Sequence, residues 1–277
     1  MSMEIVMNAT REETRVALLE NKIVTELFID RKKDHGIGGN VYKGRVVKVL
    51  PGMQSAFVDI GLERAAFLHV ADVADQMLED DTALIDEEVD EKIQEEPEPP
   101  KRGKGNGHTI ESLLQEGQEI MVQVTKEPRG SKGARVTTYL SLPGRYLVYM
   151  PTVNHVGVSR RIEREEERTR LKEMVLRLRK PGAGYIIRTV SEGLSEEEFR
   201  SDIEFLERLW QNILMKKESS GAPALLHTDL DLAFRIVRDL FTSKVTRLII
   251  DSKQEYGIHC PFLKVFVLVY GFHILNS

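Results

Sequence analysis

The stretch Val41-Tyr42-Lys43-Gly44-Arg45-Val46-Val47-Lys48-Val49 decides the fold. It is dense in β-formers and runs into Pro51-Gly52, a turn signal. Residues 54–60, 65–70 and 119–125 supply further strands of the same kind, and several short strands with such turns predict a small barrel. Working outward, residues 3–8, 14–19 and 23–29 form a β meander that reaches the block through the loop Gly36-Ile37-Gly38-Gly39.

Beyond the barrel, from Ser159, the period changes. Leu171, Met174, Val175 and Leu178 fall at helical spacing and predict one apolar face. Residues 184–189 form a short strand after Pro181-Gly182. A second helix starts at Ser195, where Glu198 completes a capping box and Leu194 can staple onto Phe199. Its buried stripe is Phe199, Ile203, Leu206, Trp210, Ile213 and Leu214, and Gly221-Ala222-Pro223 breaks it. A third helix follows from about Asp229 with Leu232, Ile236 and Leu240 inward, then a strand at 246–250. Asp229 and Asp231 resemble a carboxylate pair, but they also suit that helix's N-terminus, where acidic groups favour the dipole. The fold class is α+β, in more than one domain.

The 277 residues are 41% hydrophobic and 30% charged, enough to bury sizeable cores. One cysteine, Cys260, excludes an internal disulfide and a cysteine zinc cage within one chain. No secretory signal is visible, and the apolar stretch 260–275, interrupted by Lys264, falls short of the ~18–20 residues of a membrane span. No transmembrane segment and a cytoplasmic location are therefore expected.

The formal charge of −5 is unevenly spread. Residues 79–98 hold eleven acidic side chains against Lys92, so the rest of the chain carries +5. That segment, extending over about 77–108, reads as a disordered, solvated insertion, or as an acidic loop competing with a polyanion for a basic surface. Residues 151–190 hold ten Lys/Arg and five Glu around Arg160-Arg161 and Arg188. Such a patch suits phosphate groups, although Glu-Arg pairs on a solvated helix explain its middle equally well. There is no Walker-type phosphate loop, no metal-ligand pair at useful spacing, and the seven histidines are scattered.

Several blocks, in order and spacing, are similar to the start of the bacterial RNase E/RNase G endoribonucleases. They are Asn8-Ala9-Thr10, Glu12-Glu13-Thr14-Arg15-Val16-Ala17-Leu18, Asn40 to Val46, Ala56-Phe57-Val58-Asp59-Ile60-Gly61 and Ala66-Phe67-Leu68. Lys132-Gly133, Thr137-Thr138, Ser141-Leu142-Pro143-Gly144-Arg145-Tyr146-Leu147-Val148, Ser159-Arg160-Arg161-Ile162 and Ile187-Arg188-Thr189 continue the series. The likeness is followed to about Tyr256.

The resemblance implies an S1 RNA-binding OB-fold at 39–137 and a sensor of the RNA 5′ end at 138–233. Both would be inserted into a partial RNase H-like α/β subdomain formed by 1–38 and 234–256, followed by an apolar tail at 257–277. RNase H-like names a fold and not that activity. The resemblance also implies that Phe57 and Phe67 stack RNA bases among Lys43, Arg45, Lys126 and Lys132; without it, a place in the barrel core is the favoured reading for both rings. Arg188 and Thr189 would clamp a 5′-monophosphate, with Gly144 and Val148 lining the terminal nucleotide and Arg160 and Arg161 nearby.

Family enzymes are homo-oligomers that cleave single-stranded RNA with Mg²⁺ held by aspartates of a later DNase I-like domain. Their motifs Asp-Ile/Val-Asn and Asp-Phe-Ile-Asp-Met do not occur here, nor does a two-cysteine zinc link. The expectation is a chain ended by truncation or a frame change that binds single-stranded RNA, preferentially 5′-monophosphorylated, and not DNA. It would hold no cofactor and have no catalytic residue of its own, with Mg²⁺ belonging to the complete enzyme. Two competing readings are a nuclease using unrecognised carboxylates, such as Asp59 or Asp251, and an interaction or membrane-associated remnant driven by the tail.

Overall fold

The computed structural model describes residues 3–10, 12–31, 36–73, 109–229, 232–240 and 245–251. The acidic insertion, the apolar tail, Asp231 and Cys260 lie outside the described residues. The chain divides into two compact units, one from residues 1–36 with 230–277 and the other from residues 37–229.

In the first unit, β1 (Met3–Ala9), β2 (Glu13–Glu20) and β3 (Ile23–Arg31) form the antiparallel meander that their β-formers predict. Then β14 (Val245–Ile250) adds to β1 in parallel, giving the order β14-β1-β2-β3. Alternate residues Ile5, Met7, Val16 and Leu18 turn to one face and bury against Ile236 of α4 (Leu232–Leu240). The turn leaving β14 is pinned by Asp251, whose carboxylate accepts from the Ala9 N–H at 2.9 Å and from the Asn8 side chain.

The second unit contains the barrel. Its strands are β4 (Val41–Leu50), β5 (Ser55–Asp59), β6 (Ala66–His69), β7 (Glu119–Lys126) and β8 (Arg135–Thr137). They pair in the order β4-β5-β6-β8-β7, and β7 returns to β4, closing five strands in a topology compatible with an OB-fold. The Pro51-Gly52 signal is a 3-10 turn over Pro51–Met53. Val46, Ala56, Val58, Ala66, Leu68, Val122, Val124 and Val136 fill the interior together with Ile110 of the short α1 (Ile110–Leu113). Gly133 permits a close crossing, because a Cβ there would stand 2.2 Å from the Ala65 carbonyl oxygen.

A second sheet, ordered β11-β12-β10-β9, joins β9 (Leu142–Pro143), β10 (Leu147–Met150), β11 (Val156–Val158) and β12 (Gly184–Ile187). The helical period of 171–178 is realised as α2 (Glu165–Leu178), which buries Leu171, Met174 and Val175. The Ser195 signal is realised as α3 (Glu196–Ser219), where the Ser195 N–H donates to the Glu198 carboxylate at 2.8 Å. Phe199, Ile203, Leu206 and Ile213 of α3 are buried, and Trp210 is half-buried edge-on to Tyr149. One polar residue, Asp202, is buried with them. After α3, β13 (Ala224–His227) joins β4. Asp229 stands outside any helix, and its N–H donates to the Asn40 side chain at 2.8 Å.

Gly133→Ala should lower stability by about 1–3 kcal/mol, the usual cost of overpacking against fixed backbone. Urea unfolding measures it, and an unchanged midpoint would contradict the close crossing at Ala65.

Candidate nucleic-acid interface

Strand pleating sorts the barrel's side chains. On β5, Ala56 and Val58 are buried and Phe57 between them is half-buried; on β6, Ala66 and Leu68 are buried around a half-buried Phe67. Both rings therefore lie on the outer surface rather than in the core. They are directly cross-strand, in edge-to-face contact with centroids 6.2 Å apart. The register extends the row over all five strands: Lys48 on β4 pairs with Phe57, Phe67 with Arg135 on β8, and Arg135 with Lys126 on β7. Two aromatics flanked by cations on both sides make a face on which bases can stack while phosphates meet positive charge.

Lys48 and Arg135 were not among the residues singled out from the sequence. Only the strand register reveals them, although the β-run containing Lys48 was itself legible. Arg135 is oriented by Asp72, donating from Nε at 3.0 Å and Nη2 at 2.8 Å. Lys132, exposed, closes the Arg129–Lys132 hairpin beside Gly133, and the Ala134 carbonyl accepts from the Phe67 N–H at 2.7 Å.

Lys43 is not brought to the aromatics, whereas Arg45 pairs with Asp59, two residues from Phe57 on β5. Lys43 sits near the other end of β4, five residues before Lys48, roughly 17 Å along an extended strand. The Lys43 ammonium donates to the carbonyls of Lys217 and Ser220 at the C-terminus of α3 and meets Glu119 at 3.0 Å. Arg45 also meets Glu119 at 3.0 Å. Bonds from Lys43 first, and then from Arg45, hold the Glu119 carboxyl below the usual carboxylate range. A cation at a helix C-terminus offsets the dipole there.

The residues expected at the RNA 5′ end converge on the second sheet. Val158 on β11 pairs in parallel with Ile187 on β12, so the chain leaving each strand turns at the same edge. Ser159 bonds Thr189 hydroxyl to hydroxyl at 3.1 Å, and the exposed Arg160 and Arg161 follow it in the turn. Arg168 of α2 holds that turn by donating to the Ser159 carbonyl at 2.8 Å. Arg188 reaches across to the loop before β10, its Nη1 donating to the carbonyls of Gly144 at 2.9 Å and Arg145 at 3.0 Å. Those bonds fix the plane of a guanidinium fork, the group that matches phosphate oxygens. Val148, by contrast, is 4% exposed and packs with Met150 and Ile186.

The segment after Thr189 is tied down from α2. Glu167 accepts from the Gly193 N–H at 2.8 Å and pairs with Arg170, which also donates to the Leu194 carbonyl. The Arg170 bond, seconded by the Gly193 N–H, pulls the Glu167 carboxyl down to about 2.

A cavity of about 430 Å³ lies apart from these groups, between the C-terminal half of α3 and β13, beside Ile213, Met215, Leu226 and His227. Among the described residues, no three His, Cys, Asp or Glu side chains come together to hold a metal ion. The Asp59 carboxylate accepts from the Gly61 N–H at 2.9 Å, closing the turn after β5. Among the described residues, no helix is long and apolar enough to cross a membrane.

The architecture is thus mixed α and β around a closed barrel whose outer face presents aromatics among cations. The family model of the ribonuclease E/G family matches residues 141–267. Ribonuclease G of Haemophilus influenzae is 47% identical over 256 residues, which is 92% of this chain and 49% of that protein. Ribonuclease G of Escherichia coli K12 is 41% identical over 267 residues, covering 96% and 51%. Ribonuclease E of H. influenzae is 38% identical over 255 residues, covering 91% and 25%. The chain belongs to the ribonuclease E/G family, and it spans about half the length of the ribonuclease G relatives it matches.

Replacing Glu167 by Gln tests the tether. A carboxylate whose folded value lies near 2 contributes stability above its unfolded value of about 4.3 and loses that contribution as pH falls through 2. The wild-type advantage over Glu167→Gln should be full at neutral pH and shrink steadily below about pH 4.5. An advantage independent of pH would contradict the Arg170 and Gly193 bonds.

Proposed function

We propose that this chain binds single-stranded RNA across the outer face of its barrel and distinguishes RNA 5′ ends at Arg188 and Thr189, favouring a terminal monophosphate. What supports the reading above all is the fixed guanidinium of Arg188, next in sequence to the Thr189 hydroxyl that bonds the Ser159 turn. A terminal monophosphate carries more charge and more free oxygens than an internal phosphodiester, so a fixed fork favours it. Thr189 adds a hydroxyl to the same edge. On this reading the barrel is an S1-type OB-fold, and the sheet of the first unit is part of an RNase H-like fold.

Base stacking on Phe57 and Phe67 supplies affinity without strict sequence preference, and Lys48, Arg135, Lys126 and Lys132 steer the backbone past the rings. Lys43 and Arg45 serve the barrel through Glu119 and the end of α3. The setting is RNA processing in the cytoplasm, within an oligomeric Mg²⁺-dependent endoribonuclease. The described residues offer no fit for the metal, and no step of the proposal passes through it.

Fluorescence anisotropy at fixed salt, comparing one RNA bearing a 5′-monophosphate with the same RNA bearing a 5′-hydroxyl, tests this. The monophosphate should bind more tightly, and Arg188→Ala should abolish the difference. Phe57→Ala or Phe67→Ala should weaken both RNAs alike, by about 1–3 kcal/mol per lost stack. Equal affinity for both ends would refute end recognition, and full affinity in the phenylalanine variants would refute the barrel face.

A further inference from the structure

Asp202 lies in the second turn of α3, wholly buried on a helix face that is otherwise apolar. Its Oδ1 accepts from the Arg145 N–H at 3.1 Å, and its Oδ2 from the N–H groups of Tyr146 at 2.8 Å and Leu147 at 2.9 Å. Three charge-assisted bonds to consecutive backbone donors offset the cost of burying the carboxylate.

The trans peptide unit is planar, with N–H and C=O pointing in opposite directions. The Arg145 N–H belongs to the same peptide as the Gly144 carbonyl, and the Tyr146 N–H to the same peptide as the Arg145 carbonyl. Those are the two carbonyls that accept from Arg188 Nη1. Two consecutive peptide planes are therefore gripped by Asp202 on one edge and grip Arg188 with the other. Gly144 belongs to the same arrangement: a Cβ there would stand 2.7 Å from Asp202 Oδ2 and 2.9 Å from Leu206 Cδ1. Its lack of a side chain admits the carboxylate.

We propose that Asp202 is a positioning residue for the 5′-end site, setting the aim of the Arg188 guanidinium through the two peptides between them. The proposal rests on the reading of Arg188 as the phosphate fork. Asn at 202 would keep the shape but present an amide NH₂ to backbone donors, so at least one peptide must turn and release its carbonyl from Arg188.

The test compares the ratio of affinities for 5′-monophosphate and 5′-hydroxyl RNA in the wild-type chain, Arg188→Ala, Asp202→Asn and Gly144→Ala, with thermal melts to confirm folding. In Asp202→Asn the ratio should fall about three- to tenfold toward that of Arg188→Ala, the size expected when one charge-assisted bond loosens. Affinity for the 5′-hydroxyl RNA, carried by the barrel, should stay within about twofold, a selective loss that a merely structural residue would not produce. If Asp202→Asn melts below the assay temperature, Gly144→Ala, which displaces the same carboxylate from the other side, gives the reading. A wild-type ratio in either folded variant overturns the positioning role. Equal affinities in the wild-type chain overturn the end-recognition reading beneath it.

Discussion

A single buried carboxylate organises the second sheet. Asp202 is shut away from the surface, and the backbone of residues 145–147 brings it N–H groups, which fixes how the chain enters β10. Once this entry is set, Leu147 and Val148 pair with Ile187 and Ile186, and Arg188 leaves β12 opposite the Gly144 and Arg145 carbonyls. The long α3 that carries Asp202 spans about 36 Å. It ends at the Lys43 ammonium on the barrel's first strand, so one rigid element ties the loop that orients Arg188 to the barrel wall. Alanine at 202 would leave three buried donors without an acceptor, at about 1–3 kcal/mol each.

The barrel follows a different rule. Closing five short strands puts every second side chain inside, and the interior is taken by Val, Ala, Leu and Ile. Phe57 and Phe67, in the opposite phase, stay at the surface with their hydrophobic area only partly covered. Their mutual contact and the cations along the same register row turn that incomplete burial into a surface suited to flat, negatively charged ligands.

Much of this was legible in the sequence because it rests on local chemistry. The β-runs, the Pro51-Gly52 turn, the capping box at Ser195 and the apolar stripe of α3 are short-range patterns, and each appears as an element. Asp202 was not legible, since among Glu196, Glu197, Glu198 and Glu204 it reads as one more acidic residue on a solvated helix. Only the 145–147 backbone, far away in sequence, makes it a buried anchor. Lys43 shows the converse: a lysine on a basic strand suits a polyanion, and its placing among the carbonyls that end α3 depends on a helix far away in sequence. Arg135 joins the aromatic row through a parallel pairing of β6 and β8, a register that neither strand's own sequence encodes. The two- to four-residue strands β8 to β11 are too short for periodicity to declare them.

In the proposed function the Ser159 turn and Arg188-Thr189 form the edge that recognises the terminal phosphate. An NMR titration of the chain with a short 5′-monophosphorylated RNA, following the arginine Nε–H and backbone amide resonances, tests that edge most directly. The account predicts shifts at Arg188, Thr189 and residues 159–162 that the 5′-hydroxyl RNA fails to produce. Shifts of equal size with both RNAs, or shifts that leave Arg188 unmoved, would contradict it.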